Sequence, residues 1–333
     1  MLRKRIAIDL GTANSLVMEK GKGVILNVPT VVAYSKRIKK VIAIGEEAKL
    51  MIGKSPEDIV VERPLKEGVI ASYRLTEAFI KVLIRKSLGR FSLLRPEVMI
   101  SVPAGLTSVE ERAVIKAANS AGASKIYLIP EPIAAAIGAK LPIAESSGNM
   151  IVNIGGGTAE IAIISLNGLV KFTSKRGAGD AITEALRDFM KRKYKLEIGE
   201  QMAEKVKIEI GSAIETENPK IMQIRGSEVN SGQPKKIDLN SNDLIEPINY
   251  VLSQIVVSTK SVLETTPPEL VSDIIDRGIA LSGGSALIRD IDIYFTDALG
   301  VAAYVVDNPL TAVVEGVCES LESIDVLRGS LKS

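Results

Sequence analysis

The chain has 333 residues, 46% hydrophobic and 25% charged, with Lys+Arg 42 against Asp+Glu 40 for a net charge of +2. A balance this even excludes bulk electrostatic binding to nucleic acid, so no nucleic-acid partner is expected. The absence of histidine removes Ser-His-Asp and Cys-His catalysis and any histidine metal site.

Any chemistry must therefore come from carboxylates, hydroxyls, lysines or a cofactor-bound metal. The single cysteine, Cys318, excludes an internal disulfide and points to a reducing compartment. No signal peptide precedes the first apolar segment, and no uncharged apolar run reaches about 18 residues. The expectation is a cytoplasmic, soluble protein, long enough for two domains or one bilobal unit. A mean hydropathy of +0.21 leaves room for an apolar surface used in assembly or membrane contact.

In chain order, Ile6 to Val17 reads as a strand, a glycine turn and a returning strand. Residues 23–63 alternate short apolar runs with Pro29, the basic turn Lys36–Lys40 and Gly45, consistent with a small, mostly β insertion. From Arg74 to Leu88 apolar residues recur at helical spacing (Leu75, Ala78, Phe79, Val82, Leu83). Val98–Val102 is a buried strand ended by Pro103. Thr107-Ser-Val-Glu-Glu111 predicts a capping box with Ser108 as N-cap and Glu111 at N3, opening a helix that stops at Gly122. A short strand, Lys125–Ile129, leads to Pro130-Glu131-Pro132 and a small-residue helix, Ile133–Ala139, suited to close packing.

The stretch Ile151–Ile163 sets two β-branched runs around Gly155, Gly156 and Gly157, again a strand, a tight turn and a strand. Hairpins use glycine for conformational reasons alone, but three in a row also let a backbone approach an anion and offer it N–H groups. The pattern repeats the N-terminal one: Asp9 or Asn153, then Gly11 or Gly155, then Thr12 or Thr158. Two such hairpins suggest two related half-domains facing one cleft, with Asp9 placed to hold a metal-bound water. Helices are expected over 181–194 and 198–210, then β-hairpins and loops over 215–238. A helix over 241–264 carries Pro247 in its first turns, and Pro267-Pro268 breaks the chain. Residues 274–282 read as a strand running into Gly283-Gly284-Ser285, and 308–327 as a closing helix. The doubled βαβ order argues α/β.

Four motifs now stand in order: Ile8-Asp-Leu-Gly-Thr-Ala-Asn14, Glu131-Pro-Ile-Ala-Ala-Ala-Ile-Gly138, Asn153-Ile-Gly-Gly-Gly-Thr-Ala-Glu160 and Leu281-Ser-Gly-Gly-Ser-Ala-Leu287. Together they resemble the actin/Hsp70/sugar-kinase ATPase superfamily. Within it, Thr107–Val114 and the Glu-Pro-x-Ala-Ala-Ala-Ile-Gly run resemble the MreB family of bacterial actins, essentially end to end. The resemblance implies an actin-like ATPase fold, two ribonuclease H-like half-domains with smaller inserted subdomains around a nucleotide cleft. Subdomain IA would take 1–28, 67–138 and 311–333, IB 29–66, IIA 139–180 and 241–310, and IIB 181–240.

The resemblance also implies ATP with Mg²⁺. Gly11, Thr12, Ala13 and Asn14 would form the first phosphate loop and Gly155, Gly156, Gly157 and Thr158 the second. Gly283, Gly284, Ser285 and Leu287 would lie at the adenine. Glu204 and Lys207 match the family's adenosine-contacting pair, although by spacing alone they read as a solvated i,i+3 ion pair. Glu131, between two prolines, is the expected residue for water activation, with Thr158 as its hydrogen-bond partner; a helix N-terminal glutamate serving the dipole is the plainer reading. Asp9 and Asn153 would act on Mg²⁺ through water. The family normally has Asp at position 153. Loss of that charge would weaken Mg²⁺ coupling and slow hydrolysis, with Asn153→Asp expected to raise the rate.

Phe91, Leu93 and Leu94, with Lys86, Arg90 and Arg95 beside them, suit shallow insertion into an anionic membrane, or else form an apolar lead-in to the next strand. The implied function is an ATP-dependent filament protein with slow ATP hydrolysis, forming paired protofilaments on the inner membrane face. It would set cell shape by organising envelope synthesis, with envelope-synthesis membrane proteins as partners. Alternatives are a filament for motility, cell helicity or plasmid and organelle positioning, and a soluble sugar or carboxylate kinase. A kinase needs a catalytic Asp, and none is evident near the second loop. A chaperone would need a C-terminal substrate domain.

Overall fold

The computed structural model describes residues 4–88 and 95–324. Two five-stranded sheets share one plan. In the first, Arg5–Leu10, Asn14–Glu19 and Gly23–Pro29 form an antiparallel meander, and Glu97–Val102 and Lys125–Pro130 extend it in parallel. In the second, Asn149–Ile154, Thr158–Ser165 and Gly168–Arg176 form the meander, while Ile279–Ser282 and Ala303–Val305 supply the parallel strands. Central strands such as Asn149–Ile154 are buried along their whole length, because helices cover both faces. That is why these strands read as continuous apolar runs rather than alternating ones.

Between the sheets lie the helices Glu131–Gly138 and Ala312–Glu322, in an apolar layer that takes Ala7 and Met99 from one sheet and Ile151 and Ala280 from the other. The two helices cross so closely that a Cβ on Gly138 would collide with the Ala312 carbonyl, and one on Gly316 with the Ala134 carbonyl. The Ala134–Ala136 run and these two glycines set that spacing.

Each half carries a smaller sheet. Lys40–Ile44, Val32–Ser35 and Ile59–Glu62 form one beside the short helix Glu46–Leu50; Leu196–Glu197, Ile221–Glu228 and Pro234–Asn240 form the other. Four sequence readings need correction. Residues 23–29 complete the first large sheet instead of opening the insertion, and Gly168–Arg176 is a third meander strand that was not anticipated. The capping box sits one residue earlier, with Thr107 as N-cap and Glu110 at N3. Residues 274–277 end a helix, Pro268–Arg277: Pro268 starts it, since the missing N–H of a first-turn proline costs nothing, and the strand is only Ile279–Ser282. Among the described residues no helix is long and apolar enough to cross a membrane.

Candidate functional site

The turns after Arg5–Leu10 and Asn149–Ile154 meet face to face. A Cβ on Gly156 would lie 2.6 Å from the Ala13 Cβ, and one on Gly157 2.6 Å from Thr12 Oγ1. None of Gly11, Gly155, Gly156 and Gly157 has a positive φ. These glycines therefore serve close approach, and a side chain on the second loop would push the two halves apart. The loops are tied back by Thr30 Oγ1 donating to the Gly11 carbonyl at 2.7 Å and by Gly177 N–H donating to the Gly157 carbonyl at 2.9 Å. Among the described residues, the N–H groups of Thr12, Ala13, Gly156 and Gly157 have no acceptor within the protein. Unpaired backbone donors on two abutting loops form a concave anion site.

A cavity of about 280 Å³ lies against both loops and is also lined by Asp9, Glu131, Asn153, Thr158, Gly283 and Gly284. It adjoins a groove of about 1200 Å³ that shares Thr12, Ala13, Asn14 and Gly157 and includes Arg63, Asp180 and Glu204. Asp9 and Glu131 line the smaller cavity, and a third carboxylate, Glu160, is fully buried near enough to Glu131 for its charge to be felt. Asp9 Oδ1 accepts from Ser101 Oγ at 2.8 Å, and burial pushes its pKa up to about 6. Glu131 opens the helix Glu131–Gly138, and burial together with the negative charges of Glu160 and Asp9 holds it well above the usual carboxylate range. Glu160, fully buried, accepts from Ser174 Oγ at 2.5 Å and is raised by burial.

Glu131 Oε1 accepts from Asn153 Nδ2 at 2.6 Å, and Asn153 Oδ1 accepts from Ser282 Oγ at 2.8 Å. The hydrogen-bond partner of Glu131 is thus Asn153. Thr158, expected in that role, bonds to Glu160 instead, because the strand Thr158–Ser165 places both side chains on one face two residues apart. Among the described residues no group of three acidic or cysteine side chains could hold a metal ion. The donor set fits a cation that arrives hydrated on an anion, held by Asp9 through water, and not a protein cage.

The other expected site residues divide. Gly283 and Gly284 line the cavity and Glu204 the groove. Ser285 is buried with its hydroxyl donating to the Gly155 carbonyl at 3.1 Å, so it braces the second loop from behind. Leu287 is 55% exposed and lines neither space. Lys207 is buried: its Nζ donates to the Gly179 carbonyl at 2.9 Å and pairs with Glu204 at 2.7 Å. The i,i+3 pair forms, but it is not the solvated one that spacing suggests. Phe91, Leu93 and Leu94 lie outside the described residues.

Sequence reasoning missed Arg63. Its guanidinium donates to the Thr12 carbonyl at 3.2 Å and to Glu200 at 3.0 Å, and lies 3.9 Å from Asp180. Nothing in its spacing marks it, since it follows the strand Ile59–Glu62 of the small sheet and meets its partners across the groove. Asp180 was missed as well: its N–H donates to the Gly156 carbonyl at 2.7 Å, so an aspartate does stand beside the second loop. Glu160, at the end of the third motif, was legible in position but not in role.

A profile of the MreB/Mbl protein family matches residues 3–329. The chain belongs to the MreB/Mbl family. The cell shape-determining protein MreB of Haemophilus influenzae is 44% identical over 335 residues, covering 98% of this chain and 95% of that protein. The cell shape-determining protein Mbl of Bacillus subtilis is 43% identical over 327 residues, covering 98% of each. Among solved structures, MreB 5 of Spiroplasma citri bound to AMPPNP superposes with a TM-score of 0.91 at 34% identity, covering 98% of both chains. The α/β architecture is accordingly the actin-like fold, and the MreB resemblance of the motifs holds across the chain.

Proposed function

We propose that the cavity between the two glycine loops binds ATP with Mg²⁺, that Glu131 activates water for slow hydrolysis to ADP and phosphate, and that the nucleotide governs assembly of the chain into actin-like filaments. The observation that carries this reading is the abutting pair of loops with unpaired N–H groups over a floor of carboxylates. A triphosphate suits the first and a water nucleophile the second. The relative from Spiroplasma citri, which shares this fold, was solved with AMPPNP. Asp9 would hold the hydrated Mg²⁺, which supplies charge neutralisation on the phosphates when bound. One large and one small sheet in each half support a division into four subdomains.

The names of the relatives support a role in setting cell shape. We read that role as exercised by a homopolymer of paired protofilaments peripheral to the inner face of the cell membrane, beside envelope-synthesis proteins. The exposed Arg85 and Lys86 in the last turn of the helix Tyr73–Leu88 support a basic approach to 89–94 and an anionic bilayer. A kinase is less well supported: the Asp180 carboxylate beside the second loop lies near the Arg63 guanidinium instead of standing free as a base.

Electron microscopy of the purified chain on an anionic lipid monolayer tests the reading. Filaments lying on lipid with Mg-ATP, and none when Leu93 and Leu94 are replaced by serine, are expected. Absence of filaments at every concentration, with ATP bound, would contradict it.

A further inference from the structure

The side chain of Asn153 is 2% exposed and both of its polar ends are engaged. Its strand is paired on both sides, with Asn153 opposite Glu160 on one neighbour and Ser282 on the other, so its backbone cannot shift independently. Ser282 is fully buried and donates its hydroxyl to Asn153 Oδ1 at 2.8 Å, which turns the amide nitrogen toward Glu131. Gly283 packs behind: a Cβ there would come within 2.9 Å of Asn153 Oδ1. Nδ2 then donates to Glu131 Oε1 at 2.6 Å, a bond that joins the second sheet to the helix opening after the first.

We propose that Asn153 is the positioning residue of the water-activating carboxylate: relayed from Ser282, its amide aims Glu131 into the cavity and does not serve the magnesium shell. This rests on the reading of Glu131 given above. It reverses the expectation drawn from the aspartate usual at this place. In this chain an aspartate would set a second carboxylate 2.6 Å from Glu131, with no donor to offer it and like charges opposed. The relay is a matched set of donor, acceptor and donor, and the amide at position 153 is the member that fits it.

The test compares Asn153→Ala, Asn153→Asp and Ser282→Ala, each with and without Glu131→Gln, in the full chain. Single-turnover phosphate release, AMPPNP affinity and the Mg²⁺ concentration for half-maximal turnover are measured, with melting temperature as the folding control. Losing a hydrogen bond to a charged group predicts phosphate release about 10–100-fold slower in both Asn153 variants, with AMPPNP affinity within about 2-fold. Mg²⁺ dependence should not move. In the Glu131→Gln background Asn153→Ala should cost nothing further, because Asn153 acts through Glu131. The exchanged pair Glu131→Gln with Asn153→Asp should recover the melting temperature but not turnover, with AMPPNP affinity again within about 2-fold.

Faster turnover at lower Mg²⁺ in Asn153→Asp would overturn the proposal in favour of the magnesium shell. Unchanged turnover in Asn153→Ala, with Glu131→Gln slow, would overturn it while leaving the role of Glu131 standing. Unchanged turnover in Glu131→Gln would remove both. If the Asn153 variants do not fold, Ser282→Ala carries the test: slower release at unchanged affinity supports the relay, and parental kinetics overturn it.

Discussion

Lys207 donates to the Gly179 carbonyl and to Thr183 Oγ1 while pairing with Glu204, so one ammonium holds the start of the helix Gly179–Tyr194 against the helix Glu200–Ile210. Burial pushes the Glu204 carboxyl up, but the charge and hydrogen bond of Lys207 outweigh it and leave Glu204 below its usual range. A depressed carboxylate adds stability above its unfolded value of 4.5 and loses it as the pH falls through the folded value. Lys207→Met should therefore lower the melting temperature at pH 7 with or without nucleotide, and its deficit against the parent should shrink in acid. The cost at pH 7 is roughly 1–3 kcal/mol, less than for a fully buried pair because Glu204 is partly exposed. Spacing found this pair but not its burial, since Gly179 and Thr183 come from another helix and leave no mark beside Lys207.

The helices Glu131–Gly138 and Ala312–Glu322 form the element that both halves share. Gly316→Ala would force its Cβ into the Ala134 carbonyl, and both ends of that clash are backbone. Overpacking of this kind costs about 1–3 kcal/mol or more, so urea unfolding should show a clear loss of stability, and nucleotide exchange should change with it. The Ala134–Ala136 run made close packing legible in sequence, whereas the partner helix was not, because nothing local to Gly316 names what it crosses. Proline misled at Pro267-Pro268, where two breakers in a row concealed a helix start. The capping box was found one residue late because Thr107 and Ser108 are equally good caps, each followed three residues on by a glutamate. Only the orientation of the chain entering the helix selects between them.

At the scale of the whole molecule the site exists only because two halves of one plan face each other. The repeat of Asp9, Gly11 and Thr12 in Asn153, Gly155 and Thr158 made that symmetry readable. The groove above was not readable, because Arg63 and Glu200 meet only after the small sheet and the helix Glu200–Ile210 have been folded over the loops. Gln201 Nε2 adds a second bridge to the Lys49 carbonyl at 3.0 Å. Two bridges across the mouth should slow nucleotide release. Arg63→Ala is expected to speed exchange of a fluorescent ATP analogue several-fold without changing phosphate release in a single turnover; an unchanged exchange rate would show that the bridge does not gate the groove.

The proposed function turns on a nucleotide held between the two loops and hydrolysed by water activated at Glu131. The most direct test is single-turnover phosphate release by Glu131→Ala, measured beside its ATP affinity. Release slowed by about 10²–10⁴-fold, with ATP still bound, is the expected result. Parental release from a variant that binds ATP normally would contradict it.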